Sequence, residues 1–217
     1  MNFEKYFSTY NKYACVQKDV ACDLNQFIPQ TKMNTALELG CGTGIFTEQF
    51  LNKFKLQKMI LNDYYDVRIF LSVPYSYFIP GNIEMLELPN VDIIVSSSAF
   101  QWIERLDNLF LKLANKCQIL AFSMYIEGNL NEINQHFGLF LNYKAAAEIT
   151  TLLRQYFCSV KVKTASYQYH FKQPIDALKH LKYTGVANFK KKPSLNKIRN
   201  FADRILSYKV GFFLAVH

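Results

Sequence analysis

Three glycines fall within five positions, Gly40, Gly42 and Gly44, in the stretch ALELGCGTGIFTEQF, residues 36–50, of a chain with only 8 glycines in 217 residues. Glycine lets a backbone turn tightly and lets a ligand approach with no Cβ in the way. A dinucleotide fingerprint reads G-x-G-x-x-G and sets a pyrophosphate on a helix N-terminus. Here the spacing is G-x-G-x-G, and Glu38 precedes it. A carboxylate there repels a pyrophosphate and suits a ligand carrying an amine. S-adenosylmethionine has that amine and no phosphate. About twenty residues further on, Asp63 stands where an acidic side chain can accept bonds from both ribose hydroxyls. The stretch Gly81-Asn82-Ile83-Glu84 then offers an amide for an adenine amino group and, in Ile83, an apolar side chain to pack on the ring.

Such residues work together only if strand ends bring them together. Ala36 to Leu39 reads as a short buried strand, followed by the glycine turn and a helix from about Ile45 to Phe54. Strands follow at Lys58 to Asn62, Tyr77 to Ile79, Val91 to Ser96 and Gln118 to Met124, with helices over Tyr65 to Leu71 and Arg105 to Asn115. This alternation predicts a parallel sheet covered on both faces. Ahead of it, residues 3–28 have near-helical apolar spacing up to Pro29. Behind it come helices over 129–137, 144–156, 174–184 and 194–206, and strands Val160 to Phe171 and Tyr208 to Val216. The expectation is one α/β domain over 1–217: a Rossmann-like, seven-stranded, mostly parallel sheet with one antiparallel strand. A helical lid spans 1–30, and substrate-side insertions span about 128–156 and 172–206.

Bulk properties narrow the classes. Half the residues are hydrophobic and 19% are charged, which argues for a packed core. No apolar segment suits a signal peptide or a bilayer span, so a cytoplasmic protein is expected. Five scattered cysteines without a CxxC pair read as reduced thiols, and four isolated histidines give no metal-ligand spacing. The net charge is +8, and Lys179, Lys182, Lys190, Lys191, Lys192, Lys197, Arg199, Arg204 and Lys209 crowd the last 40 residues. That crowding reads either as a solvated face or as a dock for an acidic macromolecule.

The series ELGCGTG, LND and GNIEMLELP resembles class I S-adenosylmethionine-dependent methyltransferases. Within them, Tyr10, Ala14 and Gln17 on the first helix, SSSAFQW at 96–102 and the stretch around Leu178 to Asn188 are similar to malonyl-acyl-carrier-protein O-methyltransferases of biotin biosynthesis. The resemblance implies donor contacts at Glu38, Gly40, Cys41, Gly42, Gly44, Asp63, Asn82, Ile83, Ser97, Tyr10 and Gln17. It implies acceptor contacts at Tyr10, Phe100, Gln101 and Trp102, no metal, and an acidic acyl carrier protein docking on the basic C-terminal face.

The implied reaction is methyl transfer to the free carboxylate of a malonyl thioester. The alternatives are another small carboxylate or natural product and, further off, RNA. Asp/Asn-Pro-Pro-Tyr, usual in enzymes that methylate base amines, is absent after the fourth strand, and neither Cys117 nor Cys158 has the setting of a C5-methylating nucleophile. A malonyl carboxylate is already ionised at pH 7, so no general base is required. Arg154, Lys182 and His180 are the cations that could orient it, and the sequence does not choose among them.

Overall fold

The computed structural model describes residues 7–138, 143–186 and 193–217. In chain order the elements are α1 (Phe7–Tyr13), α2 (Cys15–Phe27), β1 (Thr35–Leu39), α3 (Ile45–Lys53), β2 (Lys58–Asp63), β3 (Tyr77–Pro80) and β4 (Val91–Ser97). They continue with α4 (Leu106–Ala114), β5 (Cys117–Tyr125), α5 (Asn131–Phe137), α6 (Ala146–Leu153), β6 (Ser159–His170), α7 (Pro174–Thr184), α8 (Leu195–Arg199) and β7 (Ile205–Val216). The seven strands form one sheet in the order β3-β2-β1-β4-β5-β7-β6. β1 to β5 pair in parallel, and β7 runs antiparallel to both β5 and β6.

Burial explains the arrangement. Ala36, Leu37 and Leu39 of β1 are fully buried, as expected of a strand covered on both faces. One face is sealed by α2 and α3, through residues such as Val20, Leu24, Phe46 and Phe50. The other is sealed by α4 and α6. Leu106, Leu109, Phe110 and Leu113, all buried, recur at the spacing that gives α4 one apolar stripe. From β1 the chain crosses to β2 on one side, and β4 lies on the other. Their carboxyl ends therefore frame the switch-point crevice where ligands of open α/β sheets bind.

Three expected elements differ. The helix over 3–28 is broken at Ala14, buried with ψ near 41°, so that α1 can tilt and stack Phe7 on Phe70 with ring centroids 5.4 Å apart. The helix over Tyr65 to Leu71 shrinks to a single 3-10 turn at Arg68–Phe70. Asp63 accepts from Tyr65 N–H and Asp66 from Arg68 N–H, and such local bonds compete with a helix. The helix over 194–206 stops at Arg199, because β7 starts at Ile205 and pairs with the whole of β6, from His170 opposite Ile205 to Ser159 opposite Val216. Phe3, Asn188, Lys190, Lys191 and Lys192 lie outside the described residues.

Candidate functional site

A cavity of about 420 Å³ opens at the carboxyl ends of β1, β2 and β4, beneath α1 and α2. Glu38, one residue from the end of β1, is only 1% exposed and accepts a 2.6 Å hydrogen bond from Thr47 Oγ1 of α3. Burial pushes its carboxyl up to about 8, the charge of Asp63 adds to the rise, and the Thr47 bond opposes it. The turn that follows is left-handed at each glycine: φ is +73° at Gly40, +53° at Gly42 and +83° at Gly44. A Cβ on Gly40 would lie 2.5 Å from Ala99 Cβ, so glycine there lets the β1 and β4 turns meet. A Cβ on Gly42 would enter open space, which leaves its backbone bare to the cavity. Gly44 is not part of the cavity wall. It starts α3, backed by Val73 and Leu71.

Asp63 ends β2. Its Oδ2 accepts from Gly42 N–H at 2.9 Å and its Oδ1 from Tyr65 N–H at 3.2 Å. Burial raises this carboxyl too, against the pull of those backbone bonds. The loop after β3 is pinned from below. Asn62 Nδ2 donates to Ile79 O and Gly81 O, Lys112 Nζ donates to Ile83 O at 2.7 Å, and Asn82 Oδ1 accepts from Glu84 N–H. Asn82 and Ile83 consequently face the cavity with their backbone held. Cys41 also lines it, as a thiol that burial keeps protonated.

On the other side stand the tip of β4 and the lid. Ser97, Ser98, Ala99, Trp102 and Ile103 line the wall, together with Phe7, Tyr10, Gln17 and Ala21. Burial, with the charge of Asp63, holds the Tyr10 phenol above its usual range. Thr43 Oγ1 donates to Asn11 Oδ1, which ties α1 to the glycine turn.

Two residues expected against the acceptor lie elsewhere. Phe100 is fully buried, packed on Phe122 and Phe110, because a short 3-10 turn at 100–102 rolls it under the wall while Trp102 stays on it. Gln101 turns back to donate to Ser98 O and shapes the turn from behind. Among the suggested cations, Arg154 and Lys182 are exposed and off the cavity. His180 is buried in a separate hollow beside Tyr13 and Cys15, 2.9 Å from Tyr208 OH, and burial lowers it to about 4.

Four contributors escaped the sequence reading: Phe7, Asn62, Ser98, and Tyr125 behind Gln17. Asn62 and Ser98 sit inside the motifs LND and SSSAFQW, whereas Phe7 and Tyr125 lie outside any motif.

The donor set fits an amine-bearing nucleoside ligand. Glu38 and Asp63 could supply carboxylates for an ammonium and for sugar hydroxyls, Gly42 opens the backbone, and the buried Asn62 Oδ1, on the cavity wall, has no partner among the described residues.

Comparison with known proteins gives the same direction. No family model matches the chain. The malonyl-[acyl-carrier protein] O-methyltransferase of Calditerrivibrio nitroreducens is 31% identical over 100% of this chain and 91% of that protein. The protein of the same name from Haemophilus influenzae is 30% identical over 85% of this chain and 75% of that one. A third, from Bacteroides fragilis, is 33% identical over 85% of this chain but 40% of its own greater length. Among solved structures, a SAM-dependent methyltransferase from Archaeoglobus fulgidus superposes with TM-score 0.57 at 18% identity over 96% of this chain and 99% of that one. A Haemonchus contortus phosphoethanolamine N-methyltransferase holding S-adenosylhomocysteine does so with TM-score 0.59 at 19% identity, over 91% of this chain and 52% of that one. At such identities these structures speak for the fold.

Proposed function

The chain belongs to the malonyl-[acyl-carrier protein] O-methyltransferase family, and on that premise we propose that it methylates the free carboxylate of malonyl carried on an acyl carrier protein. The methyl ester would then enter pimeloyl synthesis on the way to biotin. The observation that carries the reading is the pairing of a buried carboxylate, Glu38, and a half-buried one, Asp63, with a bare glycine turn at the switch point of the sheet.

S-adenosylmethionine supplies, when bound, a methyl group on a positive sulfonium. Glu38 would hold its ammonium, Asp63 its ribose, and Asn82 and Ile83 its adenine, while the backbone of Gly40, Cys41 and Gly42 and the side chain of Ser97 would line its methionine end. Tyr10 and Trp102 would exclude water from the acceptor side. The acceptor carboxylate needs no proton removed. What remains for the protein is to hold the two reactants in line and dry, a contribution of about 7–11 kcal/mol in well-oriented systems.

The acidic carrier would approach the basic C-terminal part of the chain, where Lys179, Lys182, Lys197 and Arg199 are each exposed. Charge of that kind steers encounter more than it sets affinity. Among the described residues no helix is long and apolar enough to cross a membrane. Work in the cytoplasm, beside the carrier, is part of the proposal.

The test is incubation with labelled donor and malonyl carrier protein, followed by recovery of a base-labile methyl ester. Label remaining base-stable, or appearing on RNA, would replace this reading with another.

A further inference from the structure

The β4 side of the cavity carries polar groups that the fold leaves unused. Gln17, on α2, is 6% exposed and lines the wall. One end of its amide approaches Tyr125 OH at 3.4 Å, and the other, Oε1, is buried with no partner among the described residues. Ser98, at the tip of β4, lines the same wall with its hydroxyl oxygen buried and, the Tyr125 phenol aside, without a partner among the described residues. It also sits beside the Tyr125 phenol, at the end of the neighbouring strand β5.

The backbone at Ser98 is unusual. Its φ of +57° is the left-handed region, which a non-glycine residue occupies at a cost and which recurs where side chains are aimed for function. Three contacts hold it there. Ser98 N–H donates to Ser123 O at 2.9 Å, Gln101 Nε2 donates to Ser98 O at 2.5 Å, and Gly40 leaves room for Ala99 next door. A strained turn fixed from three sides, presenting a buried hydroxyl whose one polar neighbour among the described residues is the Tyr125 phenol, is built to meet a ligand.

Resting on the reading of the chain as a carboxylate O-methyltransferase, we infer that Gln17 and Ser98 seat the acceptor carboxylate, with Tyr125 orienting Gln17. An amide turned by half a revolution keeps its shape and exchanges its ends. Tyr125 OH then donates to Gln17 Oε1, and Gln17 Nε2 donates into the cavity. Ser98 Oγ–H donates to the second carboxylate oxygen. Burial keeps the Tyr125 phenol far above its usual range, so it remains a donor at any working pH. The arrangement divides the cavity. Carboxylates Glu38 and Asp63 face the cationic donor, and neutral hydrogen-bond donors face the anionic acceptor. Gln17, expected from sequence against the donor, moves to the acceptor side.

The test compares wild type with Gln17→Glu, Ser98→Ala and Tyr125→Phe. It measures turnover on malonyl carrier protein, calorimetric binding of S-adenosylhomocysteine, and calorimetric binding of malonyl-pantetheine to the protein loaded with S-adenosylhomocysteine. Hydrogen bonds to a charged group set the scale: Ser98→Ala and Tyr125→Phe should raise KM and weaken malonyl-pantetheine binding about 10-fold or more, with S-adenosylhomocysteine affinity and melting temperature unchanged. Gln17→Glu should lose turnover and regain it as pH falls and the introduced carboxyl protonates.

The inference is overturned by a pH-independent defect in Gln17→Glu, by parallel losses of S-adenosylhomocysteine binding, or by variants that behave as wild type. If wild type binds S-adenosylhomocysteine but never methylates a malonyl thioester, the functional reading fails and this seat fails with it. If wild type turns over and the variants do too, only the seat fails.

Discussion

Replacing Glu38 by glutamine should make the empty protein more stable at alkaline pH while weakening its grip on the donor. Glu38 sits in β1 with its carboxyl raised by burial to about 8, against about 4.5 in an unfolded chain. A raised carboxyl means that between those values the folded state binds more protons than the unfolded one, so stability falls as pH rises through that window. Working the two titrations through, Glu38 costs the fold about 1 kcal/mol at pH 5 and about 4 kcal/mol at pH 8. Neighbouring Asp63 and Cys41 are common to both proteins and cancel to first order. The substituted glutamine would keep a side-chain carbonyl for the Thr47 hydroxyl and never ionise. The melting temperature of E38Q minus that of wild type should therefore grow by roughly 6–12 °C between pH 5 and pH 8, at 2–4 °C per kcal/mol for a chain of this size. Scanning calorimetry without ligand measures it. Calorimetric titration with S-adenosylhomocysteine, whose ammonium would restore the ionised carboxylate, should show E38Q binding at least tenfold more weakly at pH 8. An offset between the two melting curves that does not change with pH would refute the electrostatic account of this residue.

Three other changes test other parts of the site. Gly40→Ala places a Cβ 2.5 Å from Ala99 Cβ at a φ of +73°, so it should cost about 2 kcal/mol or more and lower the melting temperature; urea denaturation at wild-type stability would show that the β1 and β4 turns have slack. Asp63→Asn removes the charge and turns one of the two oxygens that accept from Gly42 and Tyr65 N–H into a donor, so it should weaken S-adenosylhomocysteine binding about 10–100-fold and cost about 1–3 kcal/mol of stability; unchanged affinity would remove Asp63 from the ribose. Lys190, Lys191 and Lys192 changed together to glutamate should raise KM for malonyl carrier protein, most at low salt, and leave a free malonyl thioester nearly untouched; equal losses on both substrates would end the docking proposal.

The parts of this protein legible in its sequence are those set by neighbours in the chain. β1, the glycine turn and Asp63 are short-range patterns, and they lead to a sheet whose order places β1 at the switch point. The boundary of α8 was not legible, because residues 205–207 carry helix-compatible side chains and are claimed instead by a ladder to residues 168–170. Nor was the direction of Phe100. An aromatic beside a site motif can face either way, and a 3-10 turn of three residues decided it. Tyr125 was invisible for a different reason. It matters only through Gln17, 108 positions earlier, and the two meet because β5 lies next to β4 and α2 crosses above them. No local pattern encodes that meeting.

A reaction that moves no proton leaves little for acids and bases to do, and the placement of the three carboxylate and amide groups follows from that. Glu38, Asp63 and Gln17 sit on three different elements, yet the gap between the Glu38 side and the Ser98 side is not set by any long side chain. It is set where backbone meets backbone, at Gly40 against Ala99, with β1 and β4 already in register from Ala36 opposite Ile93 to Glu38 opposite Val95. A methyl group added at Gly40 would lie 2.5 Å from Ala99 Cβ, so the two turns stand this close because the residue is glycine. In-line transfer between two bound groups loses rate steeply with misplacement of about 1 Å. On the proposed assignment, donor and acceptor walls brought together at a glycine would be the form that catalysis takes when positioning is all that the chemistry asks.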